Sequence, residues 1–208
     1  YNIDVIIVII NKKIMIDIIT VTYGQDENLK CFINSIKSQT DNRWRLFIIH
    51  DGLNEKLKND LTKNNYLIDE KIVFIEYPNR TQKYGHILRG WGLENLVNNE
   101  YVLITNGDNY YTPNMVNEVL SRNEDFIYFN CVHSHKTINN NNKTDYGFLD
   151  AKLNRGWIDI GSAVIKTKVA KNIGFNSTEF AADWFYFEEI LKTRPSIYKI
   201  DKVLFVHN

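Results

Sequence analysis

Between residues 16 and 106 the chain repeats one unit: a short β-branched run that stops at a turn signal, then a stretch with helical spacing. The runs are IDIITVT (16–22), WRLFIIH (44–50), IVFIEY (72–77) and YVLITN (101–106), and they stop at Tyr23-Gly24, Asp51-Gly52, Pro78 and Gly107. Between them Leu29, Phe32, Ile33 and Ile36 recur on one helical face, and Ile87, Leu88, Trp91 and Leu96 do so less cleanly. Met115, Val116 and Leu120 follow Thr112-Pro113, which reads as an N-cap with a first-turn proline. This alternation predicts an α/β single domain, with a Rossmann-like mixed, mainly parallel central sheet flanked by helices. Right-handed crossovers gather the carboxyl ends of parallel strands on one edge, so the loops after the strands are where chemistry is expected.

The remainder is less regular. Residues 126–132 and 197–206 read as strands, 157–166 as extended, 169–173 as part of a short helix and 182–192 as a helix, while 134–145 (SHKTINNNNKTD) is a polar loop that cannot build a core. The opening YNIDVIIVII is interrupted by Asp4 and ended by Asn11, Lys12 and Lys13, short of the roughly 20 apolar residues of a membrane span. Residues 1–14 are therefore expected to be an N-terminal extension or edge strand, with no transmembrane segment, in a soluble or cytoplasmic chain.

Composition narrows the partners. With 25 basic and 25 acidic side chains in 208 residues the formal net charge is zero, which argues against a nucleic acid partner and requires any anionic ligand to be met locally. Cys31 and Cys131 belong to no zinc-type or disulfide pattern and read as buried thiols.

Three blocks, TVTYGQDENLKCFINSIKSQT, RLFIIHDGLNE and EYVLITNGDNYYTPNMV, resemble in order and spacing the nucleotide-sugar half of the family 2 inverting glycosyltransferases, which have the GT-A fold. That family's Pro-Thr-Tyr-Asn, Asp-Asp-Gly-Ser and Asp-x-Asp motifs appear here as Val21-Thr22-Tyr23-Gly24, His50-Asp51-Gly52-Leu53 and Gly107-Asp108-Asn109. Residues Gly85 to Leu93 look like its Gly-x-x-x-Ala-Arg-Asn-x-Gly helix with one residue fewer. The resemblance implies a GT-A domain over residues 15–208, with a nucleotide-binding half at 15–122 and an acceptor-binding half at 123–208.

It also implies a site. Thr22 would offer backbone groups to the donor, Tyr23 a ring face for the base, and Asp51 an acceptor for a uracil N3–H. Arg80 and Arg89 carry the planar fork suited to phosphate. Asn106, Gly107 and Asp108 would form the diphosphate loop, with Asp108 as ligand to a Mn2+ or Mg2+ ion. Gly107 stands where the family has an acidic residue, so one carboxylate of the motif remains. His207, in Leu204-Phe205-Val206-His207, resembles a histidine that closes on the metal, whereas His133 and His135 read as surface residues beside the polar loop.

The segment Phe180-Ala181-Ala182-Asp183-Trp184-Phe185 resembles the Glu-Asp pair that supplies the general base, with Ala182 in place of Glu and Asp183 retained. Helix capping is the other reading of Asp183, and Glu179 and Glu188 are reserves. Trp157 and Trp184 suit sugar stacking or core packing equally, and the Gly161-Ser162 turn resembles the small-residue loop near the donor sugar.

The implied activity is metal-dependent transfer of a hexosyl or N-acetylhexosaminyl group from a UDP-sugar to a glycan or other hydroxyl acceptor, with inversion. The losses at Gly107 and Ala182 keep open a different class, a non-catalytic nucleotide-sugar or glycan-binding module. A nucleotidyltransferase would need a Gly-rich loop and a Lys after the first strand, and Thr22-Tyr23-Gly24-Gln25 supplies neither.

Overall fold

A computed structural model describes residues 14–134 and 146–208. The proposed N-terminal extension, apart from Ile14, lies outside the described residues, as do His135 and the asparagine-rich loop from 135 to 145.

The first half follows the sequence pattern: β1 (Ile16–Thr22), α1 (Asp26–Lys37), β2 (Trp44–Asp51), α2 (Glu55–Lys63), β3 (Ile72–Tyr77), α3 (His86–Asn95) and β4 (Tyr101–Asn106). A two-residue β5 (Tyr110–Tyr111) and α4 (Met115–Leu120) lead to β6 (Phe126–His133), and β7 (Gly147–Leu149), β8 (Ala163–Lys166), α5 (Thr167–Ile173), α6 (Ala182–Lys192) and β9 (Ile197–His207) complete the fold.

Among the described residues nine strands form one sheet in the order β3-β2-β1-β4-β8-β6-β9-β5, with β7 against β6. β3, β2, β1 and β4 are mutually parallel; β8 then runs antiparallel to both β4 and β6. Every residue of β1 is buried, as expected for a central strand covered on both faces. Ile16 and Ile18 pack with α1, α2 and α4 on one face, while Ile19 and Val21 pack with α3, α5 and α6 on the other. In α1 the buried residues are Leu29, Phe32, Ile33 and Ile36, the apolar face read from the sequence.

At the amino end of β1 the fully buried Asp17 would be costly alone. Its carboxylate accepts from the Asn98 and Asn99 backbone N–H groups (2.8 and 2.9 Å), from Asn99 Nδ2 (2.8 Å) and from the Arg45 guanidinium (3.1 and 3.3 Å). The opposite end of the same strands carries the motif loops.

β6 and β9 run parallel with a bulge. Phe126 pairs Ile197, but beyond Phe129 the register shifts until His133 pairs His207, three residues further along β9 than the initial offset would place it. Asn130 fills the irregularity, its Nδ2 donating to Asp201 Oδ1 (2.9 Å) and its Oδ1 accepting from Ala151 N (2.9 Å).

α2, which no periodic pattern announces, carries few apolar residues, burying Leu57 and Leu61, and Asn54 marks its start by accepting from Leu57 N at 3.0 Å. Three local expectations are corrected. In the stretch expected to be extended, only Ala163–Lys166 is strand; Ile160–Ser162 winds into a 3-10 turn because Asp159 Oδ1 accepts from Gly161 N and Ser162 bonds back to Asp159. The cap of α4 is Asn114, since the Thr112 carbonyl accepts from Met115 N in a turn before the helix. Cys31 is exposed on α1, whereas Cys131 is buried as expected.

Candidate active site

The loops at the carboxyl ends of β1, β2 and β4 open into a cleft of about 890 Å³, closed on the far side by residues from the 155–159 segment, the start of α6 and the end of β9. Thr22, Tyr23, Asp51, Arg80, Arg89, Asn106, Asp108, Asp183 and His207 all line it. Gly107 does not share that lining. It is buried against Thr22 and Leu29, and a Cβ there would meet the Thr22 Cβ at 3.0 Å. The packing favours a small residue where the family motif has an acid.

Asp51 does structural work as well as lining the cleft. One carboxylate oxygen accepts from Thr81 N (2.6 Å) and Thr81 Oγ1 (3.0 Å), the other from Gln82 N (3.0 Å), which fastens the loop after β3 to the end of β2. That loop holds the Arg80 guanidinium 3.6 Å from the centre of the Tyr23 ring, so one face of the tyrosine expected to pack on a base is covered by a cation.

Arg89 is the buried cation of the site. It donates from Nη1 to His86 Nδ1 and from Nη2 to Asn106 Oδ1, both closely. Burial lowers its pKa, and Asp183, Asp159 and Asp108 oppose that shift. His86 is 3% exposed and is drawn down to about 4 by burial and then by Arg89, so it is neutral, with Nδ1 accepting. Asp183 is pushed up to about 6, chiefly by burial and then by Asp159, with Arg89 and His207 acting in the opposite direction. A carboxyl titrating there is poised to take a proton near neutral pH. Ala181, not Asp183, occupies the cap of α6, and no side chain caps that helix. The reserves Glu179 and Glu188 do not share the lining described for the cleft.

Two residues outside the sequence-based set complete the wall. His133, expected at the surface, lines the cleft, and Asp159 Oδ2 lies 3.7 Å from His207 Nε2. His133, Asp159 and His207 each offer a ligand atom, all within 4.8 Å of one another, so the group could hold a metal ion. The donor set of two imidazoles and a carboxylate suits a divalent cation, and Asp108 Oδ1, buried with no hydrogen-bond partner among the described residues, is a further oxygen in the same cleft. The signal for His133 was present: β6 and β9 both close an apolar run with Val-His, at Val132-His133 and Val206-His207. Asp159 had no signal of its own, since it lies 24 residues before Asp183 in an irregular stretch.

Trp184 lines the cleft, whereas Trp157 is 44% exposed with Lys152 Nζ 4.9 Å from its ring centre. Gly161 and Ser162 are buried, and Gly161 packs so tightly that a Cβ would meet Phe205 Cζ at 2.7 Å and Thr105 Oγ1 at 2.9 Å. The turn thus serves the junction of β4 and β9 that sets the floor of the site. No helix among the described residues is long and apolar enough to cross a membrane.

Comparison with curated proteins finds no significant match. Among solved structures, S. aureus TarS 1-349 superposes with a TM-score of 0.71 at 13% identity, over 93% of this chain and 60% of its own. The same TarS fragment in complex with UDP gives 0.70 at 14% identity, over 92% and 60%. The mannosyltransferase PcManGT from Pyrobaculum calidifontis, in complex with GDP-Man and Mn2+, gives 0.67 at 13% identity, over 95% and 57%. At such identities the likeness establishes the GT-A fold, and the chain spans about three fifths of the length of these solved chains and 36% of a longer TarS structure. The sequence profile described as Glycosyl transferase family 2 matches residues 17–185, from the first core strand through Asp183. Motif loops, fold and profile agree over most of the chain, which belongs to glycosyl transferase family 2.

Proposed function

We propose that the chain transfers a hexosyl or N-acetylhexosaminyl group from a UDP-sugar to an acceptor hydroxyl with inversion, and that the transfer depends on Mn2+ or Mg2+. The observation that carries this reading is the meeting, in one cleft, of a buried cation (Arg89), a carboxyl raised to about 6 (Asp183) and an unpartnered buried carboxylate oxygen (Asp108 Oδ1). The neighbours bound to UDP and to UDP-GlcNAc support the UDP assignment, and the neighbour bound to GDP-Man and Mn2+ supports the metal.

In this reading Asp183 takes the proton of the acceptor hydroxyl as its oxygen bonds to the anomeric carbon, while the bond from that carbon to the diphosphate oxygen breaks. Arg89 and Arg80 meet the charge left on the diphosphate, and the low dielectric around Arg89 strengthens that interaction. Asp108 and His207, together with His133 and Asp159, would hold the divalent cation, which when bound neutralises diphosphate charge as a Lewis acid. Tyr23 and Asp51 receive the uracil, and Thr22 and Asn106 shape the path between base and phosphates.

A thermal-shift titration of UDP and GDP with and without Mn2+, followed by donor hydrolysis, tests the reading. Stabilisation by UDP that requires Mn2+ is the expected result; stabilisation by GDP alone removes the donor assignment, and none by either removes the reading.

A second reading, a nucleotide-sugar-binding module without turnover, draws support from the packing at two motif positions. A side chain at Gly107 would crowd Thr22 and Leu29, with its Cβ 3.0 to 3.2 Å from their side chains, and Ala182 is fully buried beside the α6 core. UDP binding with no transfer or hydrolysis in the wild-type chain would favour it.

A further inference from the structure

Tyr84 and Phe180 are large aromatic residues that the core does not use. They are 67% and 82% exposed, yet both line the cleft and their rings meet edge to face, with centroids 5.7 Å apart. Tyr84 comes from the nucleotide-binding half and Phe180 from the acceptor-binding half, three residues before Asp183. The pair therefore joins the two halves within the cleft that the carboxyl assigned to deprotonate the acceptor also lines.

The backbone is held out of its ordinary range to put Tyr84 there. Gln82, Lys83 and Tyr84 have φ of 57°, 51° and 56°, followed by Gly85 at 74°. Three consecutive non-glycine residues with positive φ are costly, Gln82 most of all because its ψ of −137° lies outside the left-handed helical region, and such strain persists where the surroundings over-determine it. Two restraints do so here. Asp51 accepts from Thr81 N and Gln82 N at one end, and Gly85 is pressed against β1 at the other, where a Cβ would meet Val21 Cγ1 at 2.7 Å. Inside the cleft, Tyr84 also faces His86, with ring centroids 5.8 Å apart.

We propose that Tyr84 and Phe180 form the acceptor platform, and that its occupant is a pyranose of a glycan acceptor. A pyranose presents a face of C–H groups to the negative face of an aromatic ring, and its equatorial hydroxyls point sideways toward polar groups. The cleft offers both parts of that division, because Asp183, Arg155 and Lys83 line it together with the two rings, Lys83 adjoining Tyr84 and Asp183 following Phe180 by three residues in the chain. A lipid chain would share this cleft with the charged side chains of Asp183, Arg155 and Lys83. The platform rests on the reading of the cleft as a transferase site. Seated there, an acceptor hydroxyl gives its proton to Asp183, its oxygen bonds to the anomeric carbon, and the electron pair of the broken bond leaves with the nucleoside diphosphate.

The test titrates the full chain, with and without saturating UDP and Mn2+, with methyl β-glucopyranoside, cellobiose and diacetylchitobiose, read by saturation-transfer NMR. A serine-containing peptide and an alkyl phosphate serve as competing probes. The expected result is binding of at least one pyranoside that weakens about tenfold in Tyr84→Ala and in Phe180→Ala, more than UDP affinity changes, and that Tyr84→Phe restores. Both side chains are exposed, so unchanged thermal midpoints identify folded variants. Pyranoside binding equal to wild type in both alanine variants overturns the platform, as does a wild-type chain that binds only the peptide or the alkyl phosphate, or none of the probes. If UDP fails to bind while pyranoside binding is lost in the variants, the transferase reading and the acceptor role fall, and the two rings stand as a pyranose-binding site alone.

Discussion

His133 and His207 lie face to face, with ring centroids 4.0 Å apart and planes within 2° of parallel. Their pairing exists because the bulge around Asn130 advances β9 against β6; without it the residue opposite His133 would be Leu204, the apolar side chain three positions earlier. Asp159 closes the group from the 3-10 turn that it caps itself. Three distant segments thus deliver ligand atoms to one point.

If that point holds the cation, His133→Ala and His207→Ala each weaken Mn2+ binding by about tenfold or more, and chelation lowers the thermal midpoint of the wild type but not of the double variant. Titration of Mn2+ by paramagnetic resonance measures this. Wild-type affinity in both single variants would remove the histidines from the site.

Asp183→Asn should lower kcat by about 10²- to 10⁴-fold, the range of a lost general base, while UDP affinity stays within a factor of about two. Full turnover in the variant would remove Asp183 from the chemistry.

The pH dependence has two opposed parts. At Asp183 the folded pKa, about 6, is raised above the unfolded value, so its contribution to stability is complete below the ordinary carboxylate range and is lost as pH rises through 6. At His86 the folded value, about 4, is depressed below the ordinary imidazole value, so its contribution is present above that value and is lost as pH falls through 4. Asp183→Asn is therefore expected to raise the thermal midpoint more at neutral than at acid pH, and His86→Gln to flatten the acid limb of the wild-type curve. Turnover should rise with an apparent midpoint near 6 and level off above it. Calorimetry and a kcat profile across that window check both, and an Asp183→Asn gain independent of pH would contradict the assignment.

Arg89→Met leaves the buried His86 Nδ1 and Asn106 Oδ1 without their shared donor and should destabilise the fold by about 1–3 kcal/mol. Arg89→Lys keeps the charge but cannot bond His86 and Asn106 together, so a smaller stability loss with a large fall in turnover is expected. Denaturant unfolding beside kinetics separates the two effects.

Gly161→Ala is expected to cost about 1–3 kcal/mol, because the new methyl meets the Phe205 ring at 2.7 Å. An unchanged unfolding midpoint would show that the β9 end can shift at no cost.

Much of this was legible in the chain. β1, β3 and β4 begin and end where the β-branched runs do: the central strands β1 and β4 are buried almost throughout and therefore mostly apolar, the edge strand β3 keeps a β-branched and aromatic run, and each stops where a turn residue intervenes. α2 was not legible, since a mostly polar helix with two buried leucines shows no period. Tyr23, Asp51, Arg80, Arg89, Asp108, Asp183 and His207 were found through motif loops, and all line one cleft. His133 and Asp159 were not, because the bulge that aligns β6 with β9 and the turn that aims Asp159 arise from tertiary pairing. Ala182 and Gly107 look like losses in a motif; in three dimensions they are packing positions.

The carboxylate of Asp17 fastens the far end of the central strand to the turn after α3 and to β2. Rigidity is therefore distributed along the strands rather than evenly over the sheet. Amides of the Asp17 end should exchange with solvent only on global unfolding, while those of the loops at the opposite end open locally. A sheet anchored at one end in this way can let its ligand-facing loops move without loosening its core.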